Sequence, residues 1–360
     1  FWQYLLIAGF SFWLFLLFQA LKPAFRMPPR RELTILFFLT ASTIPIFYVP
    51  AVFYNHETHY TLIDNWRFWI IHLWVEGFFE VFATVLVAII SVQMGIIRTI
   101  TALRIIYLDA ILYLLGGVVG TGHHWYFTGQ TNVNMALSAC FSAMEVVPLT
   151  LLTMEARDFI RVSQAKCEKC GYFLAEKQQW TINFLISVGI WNFVGAGMFG
   201  FLINLPIISY FEVGTNLTPN HGHAAMFGVF GMLALGTTMF CMRAMEDEDL
   251  WKRNRTFIKV GFWGLNVGMA LMVILDLFPS GVLQLWDSMQ NGYWHARELT
   301  YLMSGYFHTL EWIRMFGDLT FILIGVIPIV ITILRTFLFG GFSSPQLLES
   351  RKQPASTSNS

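Results

Sequence analysis

Nine apolar stretches, near 2–20, 33–54, 68–96, 104–127, 133–155, 179–204, 219–245, 257–278 and 309–338, dominate this chain. A helix needs about 20 apolar residues to cross the hydrocarbon core of a bilayer, and these stretches have that length. Such a chain is expected to be all-α, a polytopic membrane helix bundle of about nine transmembrane helices. The composition agrees: 56% of the residues are hydrophobic and 12% charged, far from the balance of a soluble domain.

The loops test the count independently, because Lys and Arg are retained on the cytoplasmic side. Lys22, Arg26, Arg30 and Arg31 fill the first loop, Arg98 and Arg104 the third, Arg157 to Lys177 the fifth, and Lys252 to Lys259 the seventh. The intervening loops hold only Arg67 and Arg297. This alternation places the N-terminus outside and makes the chain a multi-pass integral membrane protein, expected to lie in a bacterial or archaeal cytoplasmic membrane. The lipid bilayer is thus its first partner, and no nucleic-acid partner is expected.

The opening FWQYLLIAGF carries no initiator Met and no charged region ahead of a small-residue cleavage site, so it reads as the interior of a longer protein and not as a signal peptide. Residues 1–340 are read as the transmembrane core, and the polar, low-complexity 341–360 as a disordered cytoplasmic tail. Cys140 and Cys241 fall inside spans, where a thiol behaves as a small hydrophobe. Cys167 and Cys170 form CEKC in an inner loop, half of a zinc-ribbon pattern, and are read as a plain reduced pair.

The histidines carry the chemistry. HLWVEGFFE puts His72, Glu76 and Glu80 along one stripe of an inward-running helix, with His72 about one turn below the outer surface. GTGHHWYFTG places His123 and His124 at the outer end of the next helix, and NHGHAAMFG places His221 and His223 in the first turns of a later one. Five histidines from three helices therefore share one depth. Taken singly, each could be a satisfied interfacial histidine, but ionisable groups within a membrane are costly and mark functional sites.

Imidazole is the commonest metal ligand, and His72, His123 and His124 can supply three nitrogens to one ion. Glu76, one turn below His72, can reach the same ion, and a hard carboxylate beside three imidazoles suits iron better than copper. His221 and His223 point to opposite sides of their helix, so they would serve two centres, as axial ligands to planar macrocycles. His56, His59, His295 and His308 lie in or beside outer loops and are read as ordinary surface histidines.

HLWVE, GTGHH and HGH, in that order, resemble the catalytic subunit of the haem-copper oxidase superfamily, and the nine spans are similar to the C-terminal three quarters of its twelve-helix core. The resemblance implies that His221 binds a high-spin haem b facing the second metal and that His223 binds a low-spin haem b. Oxygen reductases of the superfamily carry His-Pro-Glu-Val-Tyr where this chain has Leu73 in place of proline and Glu76 in place of tyrosine. The departure resembles the nitric oxide reductase branch, which implies non-haem iron held by His72, His123, His124 and Glu76. ACFSAMEVVPL resembles the stretch carrying a further glutamate of that branch, which implies that Glu145, with Glu80, donates protons or tunes the site. HGHAAMFGVFGMLALG and LEWIRMFGDLTF resemble the form that takes electrons from membrane quinol. In that form Asp318 would contact quinol and Arg314 would pair with a haem propionate.

The family's second axial ligand to the low-spin haem comes from an early helix, and no histidine precedes His56 here. Upstream helices of the same protein are therefore expected to supply it. The function implied is reduction of two nitric oxide molecules to nitrous oxide and water. A nitric oxide dismutase, a terminal oxygen reductase, a non-enzymatic haem-binding remnant and a secondary transporter are the alternatives. The transporter is disfavoured by the absence of an internal repeat.

Overall fold

The computed structural model of the protein describes residues 1–166 and 178–340, with the side chains of 28–30, 75–78, 114–118, 156 and 158–166 outside the description. CEKC at 167–170, the tail 341–360 and the side chain of Glu76 therefore lie outside the described residues.

Among the described residues every regular element is helical. Eight helical segments are long and apolar enough to cross a membrane: α1 Trp2–Leu21, α2 Arg31–Val52, α3 Tyr60–Gln93, α5 Asn132–Glu155, α6 Gln179–Ile203, α7 Leu217–Met245, α8 Glu248–Asn291 and α9 Gly305–Phe339. α4, Thr99–Gly120, has 22 residues and rises about 33 Å, enough to cross as well. It stands where the remaining span was expected, so the chain is a multi-pass membrane bundle.

Two boundaries differ from the sequence reading for identifiable reasons. α3 starts at Tyr60, before its apolar run, because His59 caps it: the ring Nδ1 accepts the Thr61 N–H at 3.3 Å. α8 continues to Asn291 through Pro279. The proline falls where the π segment Val273–Leu277 gives way to Phe278–Asn291, so its missing N–H comes at an interruption of the regular ladder. Gly292, at φ +102°, ends that helix.

Residues from α2 to α9 share one apolar core, with Leu33, Ala83, Ile106, Leu152, Phe184, Met232, Leu265 and Ile329 among its members. α1 buries no residue fully, but its Phe10 packs between Tyr48 of α2 and Trp74 of α3, with ring centroids 5.6 Å from each. Lipid gives helices no hydrophobic reason to associate, so close packing must hold them together. Gly264 and Gly268 supply it between α8 and α9: a Cβ at Gly264 would lie 2.3 Å from the Ile324 carbonyl carbon, and one at Gly268 2.5 Å from the Phe321 nitrogen. Five of the helices widen into π segments near their middles, Trp69–Phe78, Asn192–Phe199, Met226–Gly231, Val273–Leu277 and Thr320–Val326. Such segments recur at functional sites, and the first three surround the histidines.

Candidate metal centre

His72 projects from the π segment of α3, and His123 and His124 from the 3-10 turn Thr121–His124 that closes α4. The three offer ligand nitrogens within 4.8 Å of one another. Their ring centroids lie 4.9 Å apart for His72 and His123, 5.3 Å for His72 and His124, and 4.1 Å for His123 and His124. His72 and His123 are fully buried. The half-buried His124 is held flat against Phe68, with centroids 4.9 Å apart and planes 3° from parallel. Three converging imidazoles in an apolar setting are a donor set that fits a first-row transition metal.

The buried Tyr113 of α4 donates from its hydroxyl to the carbonyl of Leu73, next to His72, at 2.9 Å. Together with Gly120 this fixes α4 against α3. A Cβ at Gly120 would lie 3.0 Å from His72 Nε2 and 3.3 Å from Glu145 Oε1. Glu145, on α5, is therefore a neighbour of the trio. Its side chain is 4% exposed, and that of Glu80 is 8% exposed.

Both carboxylates line a cavity of about 220 Å3 whose wall also includes Asn192, Gly200, Thr218 and His221. The cavity thus runs from Glu145, the neighbour of His72, to the HGH helix, α7. The His221 Nδ1 donates to the Gly195 carbonyl in the π segment of α6 at 2.8 Å, which makes Nε2 the nitrogen that carries the ring's lone pair. α7 comes this near because position 195 is glycine: a Cβ there would lie 2.5 Å from the Ala224 carbonyl carbon. His223 is exposed on another side of α7, its Nδ1 donating to the Pro219 carbonyl at 2.8 Å. One histidine faces the cavity and the other faces away from it. Both present Nε2, the arrangement that fits axial ligation of two separate haems.

Arg314 and Asp318 pair with each other one turn apart on α9, Nε to Oδ2 at 3.3 Å, both partly exposed. The remaining outer histidines with described partners have structural ones. His59 caps α3, His295 Nδ1 donates to Asp287 Oδ2 at 2.6 Å, and His308 Nε2 accepts from Trp312 Nε1 at 3.1 Å.

Four residues near the site were not singled out from the sequence. Tyr113 is one. Asn192 donates from Nδ2 to the Val146 carbonyl at 2.9 Å and joins α6 to α5 beside the cavity. Glu212, buried in the outer helix Pro206–Glu212, accepts from the cavity-lining Thr218 at 2.9 Å. Burial pushes its carboxyl up to about 7, against the hydrogen bond from Thr218 and the charges of His221 and Arg297. Asp109, the fourth, is buried on α4. A lone acid inside an apolar run, as at 109, is the signal that could have found it.

Two comparisons bear on this arrangement. The family described as Cytochrome C and Quinol oxidase polypeptide I matches residues 1–320. A curated nitric oxide reductase subunit of Stutzerimonas stutzeri is 27% identical over 247 residues, 68% of this chain and 49% of that protein. The chain thus spans about half the length of the curated relative it matches.

Proposed function

The chain belongs to the cytochrome c and quinol oxidase polypeptide I family, an oxidoreductase family of the haem-copper oxidase superfamily, and from that premise we propose that it reduces nitric oxide to nitrous oxide with electrons from membrane quinol. The observation that carries the reading is the cavity with His221 on its wall, Glu80 and Glu145 lining it, and the three-histidine cluster beside Glu145. The likeness to a nitric oxide reductase supports the same branch, as does the Leu73 and Glu76 pair where oxygen reductases carry proline and tyrosine.

On this reading His72, His123, His124 and Glu76 hold a non-haem iron, His221 a high-spin haem b, and His223 a low-spin haem b whose other ligand comes from upstream helices. When bound, these groups supply electrons and Lewis acidity to nitric oxide. The protein's part is position and protons. Gly195 and the carbonyl it exposes fix the His221 ring and its tautomer. Phe68 and Tyr113 fix the trio from the other side.

Two electrons and two protons join two nitric oxide molecules into nitrous oxide and water, so protons must enter a cavity walled mostly by apolar residues. Glu80 and Glu145 are the carboxylates placed to hand them over, being buried and within reach of the cavity. Arg314 is assigned to a haem propionate and Asp318 to the quinol headgroup. Their present pairing with each other gives each a charged partner to exchange on binding.

The test is anaerobic nitric oxide consumption by the purified holoenzyme with a reduced quinol, alongside a reduced cytochrome c as donor. Turnover with quinol supports the assignment. Turnover with cytochrome c alone would move the chain to the other branch of nitric oxide reductases, and oxygen reduction without nitric oxide turnover would restore the terminal oxidase.

A further inference from the structure

Asp109 lies in α4, four residues before Tyr113, on the face that also carries the buried Ala102 and Ile106. Its side chain is 3% exposed, and its Oδ2 has no hydrogen-bond partner. A carboxylate in such a place should either meet a cation or keep a proton. Tyr113, four residues after Asp109, is bonded to Leu73, seven residues before Glu80, and α3 and α4 run antiparallel against each other, so Asp109 and Glu80 come to nearly one level of the same interface. The charge of Glu80 acts on Asp109 there, and Thr84, one turn further in on α3, is its polar neighbour. Two carboxyls sharing an apolar interface cannot both be ionised without large repulsion.

The buried polar positions continue along α3. Thr84 and Ser91 are 0% exposed, and neither hydroxyl returns to a carbonyl of its own helix. In a bundle whose other buried hydroxyls mostly return to their own helix carbonyls, as Thr332 does to Pro328, these two stand apart. Thr84 is the one beside Asp109.

We propose that Asp109 and Glu80 share a proton, with Asp109 the member that reloads Glu80 after each proton passes to the cavity. The proposal rests on the nitric oxide reductase reading for its reaction, but the shared proton itself does not. In the transfer the O–H bond of the Asp109 carboxyl breaks as that of Glu80 forms. Asp109 then takes a proton from water reaching it past Thr84. Asp109 is thus a proton-transfer residue for the centre, one group removed from the cavity that Glu80 lines.

The experiment compares the parent holoenzyme with Asp109→Asn, Asp109→Glu and Thr84→Val in three readouts: iron and haem content, the proton-dependent phase of nitric oxide reduction after rapid mixing of the reduced enzyme, and reduced-minus-oxidised infrared difference spectra. D109N should keep its cofactors, slow the proton-dependent phase by roughly tenfold or more, leave nitric oxide binding unchanged, and lose a protonated-carboxyl band present in the parent. D109E should recover most of the rate, and T84V should slow the same phase less. An unchanged phase and an unchanged carboxyl band in a fully loaded D109N would overturn the proposal. Should D109N lose its cofactors, D109E decides: loading restored with the phase still slow overturns it, and both restored supports it. A parent with no nitric oxide turnover would sink the functional reading instead, and the infrared band would still test the proton pair.

Discussion

The hydroxyl of Tyr113 is bonded at 2.9 Å to the carbonyl of Leu73, the residue adjoining His72. Because Leu73 lies in the π segment Trp69–Phe78, the bond pins an irregular stretch of backbone to the regular helix α4. Tyr113→Phe leaves a buried carbonyl without that donor, at a cost of about 1–3 kcal/mol. The expected result is faster release of non-haem metal to a chelator with haem content unchanged. Release at the parent rate would show that the bond does not position the ligand.

Gly120 and Gly195 should separate the two halves of the centre. Gly120→Ala places a methyl 3.0 Å from His72 Nε2, so the ring must shift and metal affinity should fall by roughly tenfold or more. Gly195→Ala places one 2.5 Å from the Ala224 backbone, where helix cannot yield as a side chain does. Overpacking of this kind costs about 1–3 kcal/mol. It should lower haem retention and the unfolding temperature, while the histidine trio keeps its metal.

Ligand deletions should also divide cleanly. His221→Ala is expected to lose the high-spin haem signal and keep non-haem iron. His72→Ala and Glu76→Gln are expected to weaken non-haem iron and keep haem. Metal analysis with haem spectra reads both, and equal loss of the two groups in E76Q would count against Glu76 as a ligand.

The bundle's outer end should respond to pH through His295. Its hydrogen bond to Asp287 raises its proton affinity, burial opposes this, and the charges of Asp287 and Glu298 add to it. The folded pKa therefore lies above the unfolded value of about 6.5. The stabilisation is fully present below that value and is lost as pH rises through the folded pKa. Unfolding temperature in detergent should fall over that interval, and His295→Gln should flatten the fall. An identical profile in the variant would remove the pair from the account.

Much of this was legible in the sequence because membrane burial leaves strong marks. Apolar length placed the spans, and HLWVE, GTGHH and HGH placed the histidines, since a histidine in an apolar run has few uses. The start of α3 at Tyr60 was not legible, because it depends on a ring nitrogen of His59 acting as a cap. Nor was the passage of α8 through Pro279, which a π segment makes tolerable. Tyr113 and Asn192 were missed for a different reason. Their roles come from partners 40 or more residues away, Leu73 for the one and Val146 for the other, and no local spacing announces them.

The central claim is that the cavity lined by Glu80, Glu145 and His221 serves a haem site at His221 and a non-haem iron site at His72, His123 and His124. Iron, copper and haem content of the purified holoenzyme, measured together, test it most directly. The account predicts non-haem iron beside b-type haem, about one such iron for every two haems if the low-spin site is complete, with no stoichiometric copper. Copper in place of that iron would contradict the nitric oxide reductase assignment, and absence of haem would contradict the site itself.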